Sequence, residues 1–492
     1  MKTMKVSYFL HILRCLTILC LLIIFFVLPT IAMAQEKQPD YPIYIVQEGD
    51  SMWVIAQLFN VSVDDLAQVN QITDPNQLKV SMELKVPGLS GVEGKLITEK
   101  VPFGENLTSL SRQHQFPINT LSRLNRLVSP ASLYVGKNLV LTEQMNNNQD
   151  TQAYQEKTTI LPNESLLELS LRRSDNPWNL MKVNGIETSW QILPKDVLFT
   201  KGQGSTAAGA LPPEVLKAEV QTLPLGQGKV ASIRLVLASS SQQKNPLSIE
   251  GSFVEHALHF FLSDTEENEW LSLQGIKNQM EPGFYPLFLS FAYPNGETIA
   301  FSQNIYIQDS NYLFEKLQVT DISMLDPVNT QPEEDEIKKF TAIISEAKLW
   351  EGKFVSPVAP EYTECWPSTF GRRRSYNGSG FTYVHSGLDF CGQNGHKIFA
   401  PAKGKVVYSG NFYVRGNTTI IDHGWGVFTL YAHQSEINTA VGETVEVGQI
   451  IGLVGNTGRV TGPHLHWEVW TGGVQVDPYD WLLNEYPAPD NQ

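Results

Sequence analysis

Cysteine is scarce in this 492-residue chain, with four in all: Cys15, Cys20, Cys365 and Cys391. Basic charge is also short, since 36 Lys and Arg stand against 51 Asp and Glu for a net charge of −15. No lysine-rich tract or arginine-rich helix offsets this, and the knot Arg372-Arg373-Arg374 is too short to do so. A nucleic-acid partner, whose affinity rests on neutralising phosphates, is therefore excluded. Long apolar runs are missing as well, apart from Cys15 to Leu28. That run follows Lys2, Lys5 and Arg14 and precedes Pro29 and Ala32-Met33-Ala34, the order of a secretory signal over residues 1–34. An uncleaved anchor is the alternative reading of the same run. Once the signal is removed, no stable membrane span is expected, and the mature chain is placed in a secreted, extracellular, cell-wall or periplasmic setting. It keeps only Cys365 and Cys391, an even pair most simply read as a disulfide in an exported protein, with free thiols or metal ligation by Cys391 as alternatives.

What is present is length enough for about three domains or more and an internal repeat. Gly49-Asp50-Ser51, Gly104-Glu105-Asn106 and Asn163-Glu164-Ser165 align. Counting 19 residues on from the third residue of each reaches Asn70, Asn125 and Asn184, and 14 more reaches Leu84, Leu139 and Leu198. In the first copy Ser51 can cap a helix, Val63, Leu66 and Val69 give a second helix an apolar face, and short strand signals flank both, so the unit reads β-α-α-β. The copies span 43–88, 95–143 and 154–202. Polar stretches at 144–153 and 202–213 read as linkers, making the modules beads on a flexible line.

This pattern resembles the LysM domain, whose family binds the N-acetylglucosamine backbone of peptidoglycan or chitin. The resemblance rests on Val46, Gly49-Asp50-Ser51, Ile55-Ala56, Asn70 and Leu84 to Pro87 in the first copy, and extends to the second. The third departs from it, with Asn163 in place of the glycine and Pro177-Trp178 interrupting the middle. The resemblance implies a glycan neighbourhood at Gly49, Asp50, Ser51 and Asn70 to Asp74.

Over 214–310, short alternating runs divided by Pro282-Gly283 and Pro294-Asn295-Gly296 read as an immunoglobulin-like β-sandwich. Within 311–353 a helix is expected over Pro332 to Trp350. Its acids Glu333 to Glu336 would sit on the positive end of the dipole as a solvated face, and Ile337, Phe340, Ile344 and Ala347 on one apolar side.

Six of the ten histidines fall between His385 and His466. Glycine-bounded strand signals in this part describe a compact antiparallel β fold. If residues 465–470 form a strand, His464 and His466 face one side about 7 Å apart. The same alternation groups Val427, Thr429, Tyr431 and His433, so His433 can enter the same cleft. His385 and Asp389 would lie about 13 Å apart in a straight strand, so the chain must bend at Ser386-Gly387. Two imidazoles and a carboxylate with an open fourth position form the ligand set of a hydrolytic zinc centre. His423 reads as structural, and Trp425, Trp467, Trp470 and Trp481 mostly as core.

Phe354 to Leu483, within a domain placed at 354–485, resembles the lysostaphin-like metallopeptidases, zinc enzymes that cleave peptide cross-links or stems of bacterial peptidoglycan. Phe370-Gly371-Arg372, His385 with Asp389, Ile421-Asp422-His423-Gly424, Tyr431-Ala432-His433 and Gly462-Pro463-His464-Leu465-His466 carry the resemblance. It implies His385, Asp389 and His466 as Zn2+ ligands, and His433 and His464 as the catalytic pair that handles the proton and the oxyanion. Tyr383 is a candidate for the assisting tyrosine. The expected protein is multidomain: small α+β LysM modules, a β-sandwich and a mainly antiparallel β metallopeptidase domain, acting on peptidoglycan. A non-catalytic wall-binding protein or amidase activator is the alternative.

Overall fold

The structure is a computed structural model that describes residues 41–89, 92, 94–143, 154, 156–202, 209–238, 248–319 and 322–489. The expected signal, the linker at 144–153 and half of the linker at 202–213 lie outside the described residues. Among the described residues no helix is long and apolar enough to cross a membrane. The chain divides into two compact units, residues 1–96 and 97–492.

The first unit holds module one: β1 (Ile43–Ile45), α1 (Met52–Phe59), α2 (Val63–Val69) and β2 (Glu83–Lys85), with β1 and β2 antiparallel. Module two repeats the order as β3 (Lys95–Lys100), α3 (Leu107–Gln113), α4 (Ile118–Leu124), β4 (Tyr134–Val135) and β5 (Asn138–Thr142). Module three does so as β6 (Glu156–Thr159), α5 (Leu166–Arg172), α6 (Pro177–Val183) and β7 (Val197–Thr200). In all three the first helix is capped by a side chain, from Ser51, Asn106 or Ser165.

Module three keeps the fold of the other two despite its departures from their pattern. Asn163 takes the same left-handed backbone (φ 62°) as Gly49 (86°) and Gly104 (96°), a conformation asparagine tolerates. Pro177 does not interrupt the module but opens α6 as its first residue behind the cap Asn176.

The sandwich has two antiparallel sheets. One orders β13 (Phe261–Asp264), β14 (Glu269–Gly275), β10 (Val230–Leu237) and β8 (Val215–Val220); the other orders β12 (His256–Leu258), β11 (Ser248–Phe253), β15 (Gly283–Ala292) and β16 (Thr298–Gln308). Ile233, Leu235, Leu287, Leu289, Phe291 and Ile305 from both sheets fill the space between them. β16 also accepts β9 (Leu225–Gly226) and, from module two, β4 as parallel neighbours.

Modules two and three are therefore not beads. Gln303 on β16 accepts from Gly104 N (2.8 Å) and donates to Pro102 O (3.1 Å), while Arg112 donates to Val197 O (2.7 Å) and Lys195 to Thr298 O (2.8 Å). Backbone hydrogen bonds satisfied across an interface hold modules in place, which a polar linker composition does not reveal.

In the connecting segment, β17 (Phe314–Leu317) pairs in parallel with β18 (Arg373–Tyr376), which pairs with β19 (Tyr383–Val384). The helix α7 runs from Pro327 to Thr341, not from Pro332 to Trp350. Asp326 caps it through Val328 N with Pro327 at the first position, so the stronger start signal lies five residues upstream. It ends early because the following chain runs against the C-terminal sheet, where Trp425 N donates to Ser345 O and Leu349 N to His423 O. Ile337 packs among Phe412, Ile420, Phe428, Leu430 and Trp470, as an apolar helix face on that domain requires. Glu333, expected on the solvated face, is buried.

The C-terminal part is one sheet whose main path runs β20 (Leu388–Cys391), β27 (His464–Thr471), β24 (Val427–Ile437), β23 (Gly416–Gly424), β22 (Gly404–Phe412) and β25 (Thr444–Val445). Off this path β26 (Ile450–Val454) pairs with β24 and with β21 (Lys397–Phe399), β28 (Val474–Val476) pairs with β27, and α8 (Pro478–Leu483) follows. Trp425, Trp467, Trp470 and Trp481 are all buried. Cys365 and Cys391, 26 positions apart, form a disulfide beside β20.

Candidate metal centre

Register decides which side chains meet. Asp389 lies opposite His466 and Cys391 opposite His464 across β20 and β27. Directly opposed residues share a face, so Asp389, His464 and His466 look into one cleft. His385 joins them because the chain turns between β19 and β20. Gly387 makes that turn possible at close range: a Cβ there would stand 2.4 Å from Trp467 O and 2.8 Å from His466 Cε1.

His433 reaches the cleft by a different route from the one its sequence predicts. Ala432 lies opposite His466, and Tyr431 opposite Trp467. Regular alternation thus groups His433 with Tyr431 on the face away from the cleft, where Tyr431, Thr429 and His423 form a buried hydrogen-bond chain. The cleft position follows instead from a left-handed backbone at His433 (φ 61°), which swings its ring to within 5.0 Å of the His464 ring and 5.8 Å of the His466 ring, centroid to centroid.

The imidazoles are oriented from behind. His385 Nδ1 donates to Thr369 O (2.8 Å), His433 Nδ1 to Thr457 O (2.7 Å), His464 Nδ1 to Gly462 O (2.8 Å) and His466 Nε2 to Glu468 Oε1 (3.0 Å). Each ring then turns its other nitrogen, with its lone pair, into the cleft. His385 Nε2 and His466 Nδ1 stand 3.1 Å apart, and both approach Asp389 Oδ1, at 3.0 and 2.8 Å. One ligand atom from each of the three lies within 4.8 Å of the others, and all three residues are buried. Two lone pairs and a carboxylate oxygen converging out of water need a cation between them, so the donor set fits a divalent metal.

Burial holds the His385 imidazole below its ordinary pKa, and it holds His433 well below, reinforced by the neighbouring His466 and His464. Burial opposes ionisation of Asp389, yet the neighbouring His385 and His466 outweigh it and keep the carboxyl well below its usual range. Arg374 adds a cation 3.5 Å from Asp389 Oδ2. The cleft in front of these groups has a volume of about 640 Å³, and Glu315, Leu317 and Thr330 of the connecting segment are among the residues that line it. Tyr383 lines it too, with its hydroxyl 3.5 Å from Leu325 O.

Sequence reasoning missed Glu468 and Arg415. Glu468 follows His466 by two residues and so shares its face, a signal present in the strand pattern. Arg415 precedes β23 and carried no such signal.

The glycan neighbourhood is differently placed. Asp50 accepts from Gln47 N (2.7 Å) and Tyr44 Oη (2.9 Å), and Ser51 caps α1 through Val54 N (3.2 Å). Asn70 spends its whole amide inside the module, donating to Leu66 O and Lys85 O (both 2.8 Å) and accepting from Lys85 N (2.7 Å). Asn70 is thus a clasp between helix and strand, and Gly49 supplies the left-handed turn.

Residues 383–478 match the family model Peptidase family M23, and residues 44–87 and 100–142 match the LysM domain. The DD-carboxypeptidase/endopeptidase Mpg of Neisseria meningitidis serogroup B is 41% identical over 107 residues, 22% of this chain and 24% of that protein. The peptidoglycan DD-endopeptidase ShyA of Vibrio cholerae is 41% identical over 110 residues, 22% of this chain and 26% of that protein. The chain thus matches about a quarter of the length of these relatives. A solved structure of a candidate M23 peptidase from Pseudomonas aeruginosa has a TM-score of 0.39 at 25% identity, over 54% of this chain and 96% of that one. Residues 383–478 are thus similar to M23 peptidases, and the two segments before them to LysM domains.

Proposed function

We propose that the chain is a secreted zinc endopeptidase that hydrolyses peptide bonds in peptidoglycan stems or cross-links while its first LysM module holds the glycan. The observation that carries this reading is the convergence of His385, Asp389 and His466 on one point with His433 and His464 beside it. His385 Nε2, Asp389 and His466 Nδ1 would hold the ion. Bound there, zinc supplies a Lewis acid and draws the pKa of water towards neutrality.

The remaining chemistry belongs to the chain's own side chains. His433 Nε2 and His464 Nε2 face the cleft as acceptors, their Nδ1 protons committed to carbonyl oxygens. They can take the proton of the attacking water and return it to the leaving amine. Charged, the same rings can donate to the developing oxyanion. The depressed pKa of His433 keeps it a neutral base at neutral pH. Glycan contact is assigned to module one, because in module two Gly104 and β4 are engaged by the sandwich.

Zymography on purified cell wall, with and without a chelator, tests the activity. His385→Ala and Asp389→Ala should lose both zinc and lysis. His433→Ala should keep zinc and lose activity by a factor of about 10² to 10⁴. Full lysis by His433→Ala, or lysis indifferent to chelator, overturns the reading.

A further inference from the structure

His466 is tied by buried charged hydrogen bonds to a helix that lies outside the stretch matched by the M23 family. Its Nε2 proton goes to Glu468 Oε1 at 3.0 Å. The same oxygen receives Arg415 Nε at 2.8 Å and Ser386 Oγ at 3.0 Å. The other oxygen receives Trp470 Nε1 at 2.8 Å and Gln475 Nε2 at 2.9 Å. A carboxylate with five donors has no rotational freedom left. It stays ionised, and it keeps the proton of His466 on Nε2 and the lone pair on Nδ1, the atom beside Asp389.

Arg415 continues the chain outward. Its second nitrogen donates to Glu333 Oε1 and Glu334 Oε1, both at 2.8 Å. Glu333 in turn accepts from the backbone of Val414 (2.6 Å) and Arg415 (3.2 Å), so α7 grips the loop that carries the guanidinium. The side chains of Glu468, Arg415 and Glu333 are 0%, 6% and 3% exposed. Charges so far from water are kept only when each has its counter-charge, so a change at one end is felt at the other.

We infer that Glu468 is a positioning residue for the metal ligand His466, and that Arg415 and Glu333 extend this framework into α7. The inference rests on the metal reading given under Proposed function. It makes the connecting helix part of the metal centre's support, through Glu333 and Glu334.

The test uses the full chain, Glu468→Gln, and the paired helix variant Glu333→Gln/Glu334→Gln. Zinc affinity is measured by competition with a chromophoric chelator, and ligand geometry by the visible spectrum of the Co2+ form. Glu468→Gln should bind zinc 10- to 100-fold more weakly and shift the cobalt bands. The helix pair should weaken zinc by about threefold or more in the same direction. The combined variant should lose less than the product of the two losses. Affinities within twofold of the parent together with an unchanged cobalt spectrum in both variants would overturn the inference. If Glu468→Gln does not fold, as judged by circular dichroism of the apo form, the helix pair decides alone on the same thresholds. A parent chain that takes up neither zinc nor cobalt would instead remove the metal reading itself.

Discussion

At the scale of single residues, two backbone positions define the cleft. The left-handed backbone at His433 costs of order 1 kcal/mol for a residue with a Cβ, and the surrounding hydrogen bonds hold it there. Gly387 is the second, pressed so closely on the backbone of Trp467 that no side chain fits. His423, two residues past Ile421 in the family-like Asp-His-Gly piece, has another task. It is fully buried, with Lys403 O at 2.8 Å and Thr429 Oγ1 at 2.8 Å, and burial lowers its pKa to about 4. In the unfolded chain the value returns to about 6.5. Between those values the unfolded state binds the extra proton, so stability falls as pH drops from about 6.5 to about 4, by about 3 kcal/mol for this group. Urea unfolding of the peptidase part at pH 7 and pH 4.5 should show that loss, and His423→Gln should abolish most of it. An equal pH dependence in the variant would assign the loss elsewhere.

At the scale of elements, the repeated asparagine explains why three modules keep one spacing. Asn125 joins Leu121 O (3.1 Å) to both backbone groups of Val140 (2.9 and 2.6 Å). Asn184 joins Leu180 O (2.9 Å) to both backbone groups of Phe199 (2.8 Å each). The 14-residue offset has a matching cause, since Leu84, Leu139 and Leu198 are the fully buried strand residues of each core. Asn184→Ala leaves both backbone groups of the half-buried Phe199 without their partner and should cost about 2 kcal/mol. Hydrogen exchange of β7 should then speed up by about thirtyfold; unchanged protection would show that the clasp is dispensable. The repeat was legible because it recurs at fixed offsets. The helix α7 was legible only in part, because Pro332 imitates a start signal inside a helix that Asp326 and Pro327 begin.

At the scale of the whole molecule, three copies of one module serve different ends. The turns of module two are engaged by Gln303, by Asn304 (2.9 Å to Ala131 O) and by the pairing of β4 with β16. Gly209 N also donates to the buried Glu105 (2.6 Å). Module one belongs to the other compact unit and leaves Trp53 and Val80 more than half exposed. A chain lacking residues 41–89 should bind purified sacculi at least about tenfold more weakly, because tethering acts through effective concentration. Its rate on soluble muropeptides should be unchanged. Undiminished binding to sacculi would move the glycan contact to another module.

The sequence by itself determined the repeat, the apolar faces, the paired cysteines and the identity of the five cleft residues, because these depend on residue type and spacing along one chain. Tertiary structure alone decided that His433 enters the cleft through a left-handed kink rather than by alternation. It also decided that Glu333 is a buried counter-charge and that the second and third modules dock on the sandwich. Each of these is a contact between parts far apart in the chain, where packing and the pairing of buried polar groups overrule local pattern.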